Sequence, residues 1–198
     1  SGSISGKITF GNTVTAPFAK VVPNVTVNVA GSVPKTNITS NDGSYALSGM
    51  GPGQYTVTPS KAGENQVAIS GFDAADIAAH AVGLMQLTDN QLIVADVSGN
   101  GFVTSFDAAM VATFVAGLSD TGSTGTWRFV PGNRVYPNVN AGHANQDYVA
   151  LLMGDVTGNW TAPTLPASNS EIDQTYEPLA ISAPRLSAVP GMTLSVPV

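Results

Sequence analysis

Twelve residues from Asp96 to Asp107, DVSGNGFVTSFD, carry oxygen-bearing groups at the spacing that a calcium ion requires. A calcium loop of this length supplies oxygens from its first, third, fifth, seventh, ninth and twelfth positions, and a glycine at the sixth position allows a sharp turn. Gly101 occupies that sixth position. The predicted ligands are Asp96, Ser98, Asn100, the backbone carbonyl of Phe102, Thr104 and Asp107.

A helix is predicted to leave this loop, with Val111, Phe114, Val115 and Leu118 forming one buried stripe. Asp107 is shorter than the Glu usual at the twelfth position, so its reach to an ion is reduced. The alternative interpretation is a surface turn in which Thr104 and Asp107 form a capping box. That alternative explains the helix start but not the three oxygens that precede Gly101.

The loop and helix resemble a type I dockerin repeat, and a second copy of the helical part lies upstream. GFDAADIAAHAVGL (Gly71–Leu84) matches SFDAAMVATFVAGL (Ser105–Leu118) at an offset of 34 residues. Dockerins carry two such repeats, so the resemblance covers roughly residues 62–118. It implies calcium binding and docking onto a cohesin domain.

The upstream copy lacks a usable front half, because Ala62, Glu64 and Gln66 replace the first three ligands and Val67 replaces the glycine. GDVTGNW (Gly154–Trp160) repeats that missing front half without a matching back half. We therefore predict one calcium site divided between two distant segments. Its ligands would be Asp155, Thr157, Asn159, the Ala68 carbonyl, Ser70 and Asp73. The alternative is an ordinary turn at 154–160 beside a decayed first loop.

Composition limits the class of protein. The chain has 198 residues, of which 43% are hydrophobic and only 10% charged, with a net charge of −6 and no cysteine. The acidic balance argues against nucleic-acid binding, which needs clustered Lys and Arg, and the absence of cysteine excludes disulfides and thiolate metal sites. No apolar run reaches the length of a membrane helix. The low charge content suits an extracellular or cell-surface protein. We expect its signal peptide to be absent from this chain, since no signal pattern opens the sequence and its first residue is Ser rather than Met.

Short alternating runs over residues 1–60 predict the strands of an antiparallel β-sandwich. The segment TSNDGSYALSGMGPGQYTVTPS resembles the carboxypeptidase-regulatory-like (transthyretin-like) domains, which are non-catalytic supports. The residues that carry this resemblance are Asp42, Gly43, Tyr45, Pro52, Gly53 and Tyr55.

The predicted fold class is α+β: this sandwich at 1–60, a dockerin-like domain at 61–160 and a C-terminal strand. Residues 119–160 are assigned to the dockerin-like domain as an accessory segment. Four of its aromatic residues could cover the helix pair or form a carbohydrate-stacking surface, and we favour the first; these are Trp127, Phe129, Tyr136 and Tyr148.

A proline-rich linker is predicted at 161–178, followed by an alternating tail at 179–198 that is similar to the opening strands of a cohesin domain. An apolar strand without a sheet must find an edge. The tail is thus the start of a truncated domain, a strand that folds back, or a strand donated to another copy, which would build a filament. Its predicted partner-binding residues are Leu179, Ile181, Leu186, Val189, Leu194 and Val196.

We find no nucleophile with an adjacent base, no pair of catalytic carboxylates and no open metal site in the sequence, so an enzyme is not predicted. Two non-catalytic functions are expected instead: a calcium-stabilised extracellular building block that assembles head to tail through its own tail, or a module that docks onto a cohesin-like domain. The first is favoured, because fusion to the sandwich and to residues 119–160 is expected to cover the docking faces of the helix pair.

Overall fold

The alternating residues of the first part of the chain form five strands in a computed structural model, which describes residues 1–12, 18, 20–65 and 67–163. The strands are β1 (Gly2–Phe10), β2 (Thr26–Gly31), β3 (Lys35–Ile38), β4 (Ser44–Met50) and β5 (Tyr55–Ser60). Ile4, Ile8 and Phe10 of β1 are fully buried and alternate with more exposed positions. The period of two therefore predicts these strands correctly, because one face of each lies in the core.

Four further strands come from the segment that sequence reasoning assigned to the helical part. They are β6 (Trp127–Val130), β7 (Arg134–Tyr136), β8 (Gly142–His143) and β9 (Tyr148–Leu152). One sheet has the order β4-β1-β9-β6, with β8 also on β1, and the other has the order β3-β2-β5-β7. Both sheets therefore combine strands from either side of the predicted boundary at residue 60, and all the described residues lie in one compact unit, Ser1–Pro163.

Strand β9 lies at the centre of its sheet, parallel to β1 and antiparallel to β6. Tyr148, Ala150, Leu151 and Leu152 are fully buried, as is typical of a strand covered on both faces. A parallel neighbour requires a long connection, and residues 11–147 provide it. The arrangement of two mostly antiparallel sheets with few helices is compatible with a β-sandwich, although the predicted sandwich was wholly antiparallel.

The four aromatic residues predicted to cover the helix pair, Trp127, Phe129, Tyr136 and Tyr148, lie in strands of the two sheets instead. Tyr148 is fully buried and donates its hydroxyl to the Val57 carbonyl of the other sheet at 3.1 Å. The Trp127 ring lies 6.2 Å from the Phe10 ring and 5.1 Å from the Trp160 ring, measured between centroids. Their burial follows from the sheet topology, which sequence spacing did not reveal.

Three helices connect the two groups of strands: α1 (Gly71–Ala81), α2 (Asn90–Ala95) and α3 (Ser105–Val115). Both long helices begin with a capping box, Ser70 with Asp73 and Thr104 with Asp107. Helices α1 and α3 pack against each other. No helix of the described residues is long and apolar enough to cross a membrane.

The predicted buried stripe of the second long helix is only partly correct. Val111 is fully buried, but Val115 and Leu118 are 45% and 66% exposed. Helix α3 packs against α1, and the exposure of Val115 and Leu118 shows that part of its apolar surface meets solvent. The expected covering of the helix pair is therefore incomplete.

The C-terminal predictions lie outside the described residues. These are the proline-rich linker from residue 164 onward and all six tail residues, Leu179, Ile181, Leu186, Val189, Leu194 and Val196.

Because β9 is a central strand, residues 1–61 alone are expected not to fold. Without β9, the edge of β1 at Ile8 and Phe10 loses its parallel partner, and the buried faces of both residues lose part of their cover. Circular dichroism during heating should show no cooperative transition for residues 1–61 but a sharp one for residues 1–163. A sharp transition for residues 1–61 would contradict this expectation and support the domain boundary predicted at residue 60.

Candidate metal centre

The loop Asp96–Asp107 winds so that its backbone N–H groups face two carboxylates. Gly99 and Gly101 have φ angles of 72° and 87°, a conformation that favours glycine. The Asp96 carboxylate accepts hydrogen bonds from Asn100 N–H at 3.1 Å and Gly101 N–H at 2.8 Å. Ser98 contacts both acids, because its N–H donates to Asp107 at 3.0 Å and its hydroxyl to Asp96 at 3.2 Å. The predicted first, third and twelfth ligands therefore lie together.

The remaining predicted ligands of this loop lie on the same turn. The Asn100 side-chain oxygen accepts from Phe102 N–H at 2.9 Å, and the Phe102 ring is 71% exposed, as suits a residue from which only a carbonyl is expected. Thr104 caps the helix, and its N–H donates to the Asp107 carboxylate at 2.9 Å. The capping box of the alternative interpretation is thus present, but the second Asp107 oxygen reaches back to Ser98, which capping alone does not require.

The two fragments predicted to form the divided site are neighbours in space. Thr157 donates to one Asp73 carboxylate oxygen through its N–H at 3.0 Å and its hydroxyl at 2.9 Å. The other Asp73 oxygen accepts from Ser70 N–H at 2.8 Å. The same Thr157 hydroxyl oxygen also lies 3.1 Å from an Asp155 carboxylate oxygen. Residues 84 positions apart in the chain therefore form one cluster.

The divided cluster repeats several hydrogen bonds of the continuous loop. Asp155 accepts from the N–H groups of Asn159 and Trp160, each at 3.3 Å, as Asp96 does from the fifth and sixth positions of its loop. Gly158 has a φ of 65°, close to that of Gly99. The clearest difference is the sixth residue, where the Trp160 indole N–H donates to the Glu64 carbonyl at 2.9 Å and links the two fragments.

Solvent can reach the divided cluster from one side. Thr157 and Asn159 are exposed, and Ser70 is partly exposed. Ala68, which was predicted to supply a carbonyl, is buried. Within the described ranges, no three His, Cys, Asp or Glu side chains come together. Each cluster offers two carboxylates, and its other predicted donors are hydroxyl, amide or backbone oxygens.

The electrostatics of both clusters suit a hard cation. Asp73, Asp107 and Asp155 are fully buried, and the only ion pair among the described residues joins Lys61 to Glu64. Buried carboxylates without a positive partner are costly. Calcium takes oxygen ligands and supplies that charge, so the residues present fit the ion.

The acids respond differently to their surroundings. Burial, together with the charge of Asp73, raises the pKa of Asp155 from 3.8 to about 6. Burial also tends to raise the pKa of Asp107, but hydrogen bonds from Ser98 and Thr104 outweigh it and hold this pKa below its ordinary value. The divided cluster therefore has the larger need for a compensating cation.

Sequence reasoning missed several side chains that hold the divided cluster. The Asn12 amide is fully buried and donates to the Leu152 and Asp155 carbonyls, each at 2.7 Å. Lys20 donates to the Gly158 and Trp160 carbonyls at 2.8 and 2.7 Å. These contacts join residues 138–143 positions apart, so no local sequence pattern predicts them. The one available signal is that the polar residue Asn12 follows the apolar strand β1 closely.

Comparisons with known proteins gave no match to a protein-family model, to a curated protein or to a solved structure.

Metal-stripped protein is expected to lose stability as the pH rises from about 4 to about 7. Since the pKa of Asp155 is raised in the folded state to about 6, its stabilising contribution is fully present below pH 3.8 and is lost as the pH passes through 6. The shift corresponds to at most about 3 kcal/mol. Urea unfolding of wild type and Asp155→Asn in calcium-free buffer measures this, because the difference between them isolates Asp155. Parallel pH profiles for the two proteins would contradict it.

Proposed function

We propose that this chain is a non-catalytic, calcium-stabilised structural module of an extracellular protein assembly. The observation that carries the proposal is the matched pair of carboxylate clusters at the starts of α1 and α3. In each, an aspartate at the first loop position and an aspartate at the helix start contact the residue at the third position.

In this proposal one ion binds the continuous loop and a second binds the divided cluster. The first would be held by Asp96, Asp107 and the oxygens between them. The second would be held by Asp155, Thr157 and Asn159 from one side and Ala68, Ser70 and Asp73 from the other. When bound, calcium supplies positive charge to the buried carboxylates and ties together groups that otherwise repel.

The second ion would act as a cross-link between the helices and the sheets. Asp155 follows β9 by three residues, and Asp73 lies in the first turn of α1. The link would close a loop of 155 − 73 = 82 residues, which removes conformational entropy from the unfolded chain. A chain with no cysteine has no disulfide for this purpose. Together with the low charge content, this supports an extracellular structural role.

Calcium is expected to bind wild-type protein with two ions per chain and to raise its melting temperature. Ligand at 100 times the dissociation constant stabilises by about 2.7 kcal/mol per site. Calorimetric titration should show one ion for Asp107→Asn and one for Asp73→Asn. Asp76→Asn, on the same helix as Asp73 but outside the cluster, should retain two. Calcium should also protect residues 119–160 from proteolysis; the absence of any binding, with melting unaffected by chelator, would refute the proposal.

A docking function is the second candidate, and a specific feature of the helix pair favours it. Phe72 and Phe106 occupy equivalent positions in the two loop-helix units, as do Leu84 and Leu118. All four are exposed, by 80%, 57%, 84% and 66% respectively. Exposed apolar side chains are candidates for an interaction surface, and these four support docking of the helix pair onto a cohesin-like domain.

Two variants distinguish docking from assembly through the tail. Phe72→Asp combined with Phe106→Asp should abolish binding to cohesin domains, because charge replaces the apolar contact, and should leave self-association intact. Deletion of residues 179–198 should have the opposite effect if the tail joins subunits head to tail. Light scattering after size-exclusion chromatography measures association, and titration against a panel of purified cohesin domains measures docking. If neither variant changes either property, both interaction proposals fail.

A further inference from the structure

The front half of the divided cluster, residues 155–160, is held from outside by side chains of distant segments. The carbonyls of Asp155, Gly158 and Trp160 accept hydrogen bonds from Asn12 and Lys20. The Val156 carbonyl accepts from the Gln91 side chain at 2.9 Å. Four of the six carbonyls in this half-loop therefore point outward to protein donors, while N–H groups of residues 157–160 point inward to the carboxylates.

The continuous loop lacks most of this outer support. The Val97 carbonyl, equivalent to that of Val156, accepts from the Ser123 N–H at 2.8 Å and its hydroxyl at 2.9 Å. The carbonyls of Asp96, Gly99 and Gly101, at the positions that Asn12 and Lys20 hold in the other cluster, accept no hydrogen bond from the described residues. The two clusters thus share several inner hydrogen bonds, and among the outer ones they share only the support of the second-position carbonyl.

The difference results from chain connectivity. In the continuous loop, covalent bonds carry the chain from the fifth ligand position to the seventh. In the divided cluster the chain leaves at Trp160 and the remaining positions come from residues 68–73, so nothing covalent fixes one fragment relative to the other. Some other interaction must hold residues 155–160 in the loop conformation.

We propose that Asn12 and Lys20 are positioning residues of the divided calcium site, an inference that rests on the proposed calcium function. They hold the half-loop in the conformation that chain continuity gives to residues 96–107. Asn12 is fixed by burial and by accepting the Leu152 N–H at 3.0 Å. Lys20 is fixed by its own carbonyl, which accepts the Phe10 N–H at 2.8 Å, and by the Phe10 ring 5.2 Å from its Nζ. Asn12 follows β1 by two residues and Lys20 contacts the last residue of β1, so the end of that strand supports the proposed metal site.

The test measures each site separately in the full chain. Asp107→Asn leaves only the divided site, and Asp73→Asn leaves only the continuous loop. Asn12→Ala and Lys20→Met are then added singly to each background, and calcium affinity is measured by calorimetry. Loss of an outer partner typically weakens metal binding by about 10–100-fold, so the dissociation constant of the divided site should rise at least about tenfold. That of the continuous loop should change less than about twofold.

Two control variants separate positioning from general effects. Lys35→Met removes the same charge from the edge strand β3 and should change neither site. Ser123→Ala removes one outer hydrogen bond from the continuous loop and should weaken that site alone. Circular dichroism without calcium checks that each variant folds. If Asn12→Ala does not fold, because Asn12 is buried, the comparison uses Lys20→Met alone.

The outcomes are distinguishable. Selective weakening of the divided site supports the inference. Equal weakening of both sites, or no weakening, overturns it while leaving calcium binding in place. If neither background binds calcium, the proposed function and this inference both fail.

Discussion

The contact between the Asp73 carboxylate and Thr157 is the interaction on which the rest of this structure depends. It brings the first turn of α1 against the segment after β9. Both ends are fixed, since Asp73 also caps its helix and Thr157 also contacts Asp155. The buried Asp73 carboxylate accepts four hydrogen bonds, from Ser70 and Thr157. These bonds hold the carboxylate in one orientation, which water around an exposed side chain would not do.

Strand β9 extends the effect of that contact through the sheets. It pairs with β1 on one side and β6 on the other, and the chain then continues directly into Asp155. Asn12, which comes after β1, bonds to both ends of the same short connection. The helices and sheets are therefore joined by a network of hydrogen bonds rather than by a flexible linker. An ion bound at Asp155 would contact groups from both the helices and the sheets.

The two clusters show that their geometry does not depend on one continuous loop. Ser98 donates its N–H to Asp107 at 3.0 Å, and Thr157 does the same to Asp73 at 3.0 Å, although one pair lies 9 residues apart and the other 84. In both clusters, hydrogen bonds from backbone N–H groups to the two carboxylates determine the conformation of the half-loop. Where the covalent chain is interrupted, Asn12, Lys20 and Trp160 supply hydrogen bonds that replace its constraint.

Sequence alone determined the features that arise from local spacing. The glycine turn within 96–107, the capping boxes at Thr104 and Ser70, and the strands of the first 60 residues each follow from a period or an offset of a few residues. The relation of GDVTGNW to residues 68–73 was also predictable, because each fragment is half of a recognisable pattern. Only the tertiary structure decided that β9 is central and parallel to β1, that the aromatics of 127–148 belong to the sheets, and that Leu118 is exposed. It also decided that Asn12 and Lys20 hold residues 155–160. Such contacts join positions far apart in the chain, where a residue's type shows that it can be buried or bonded but not which partner it meets.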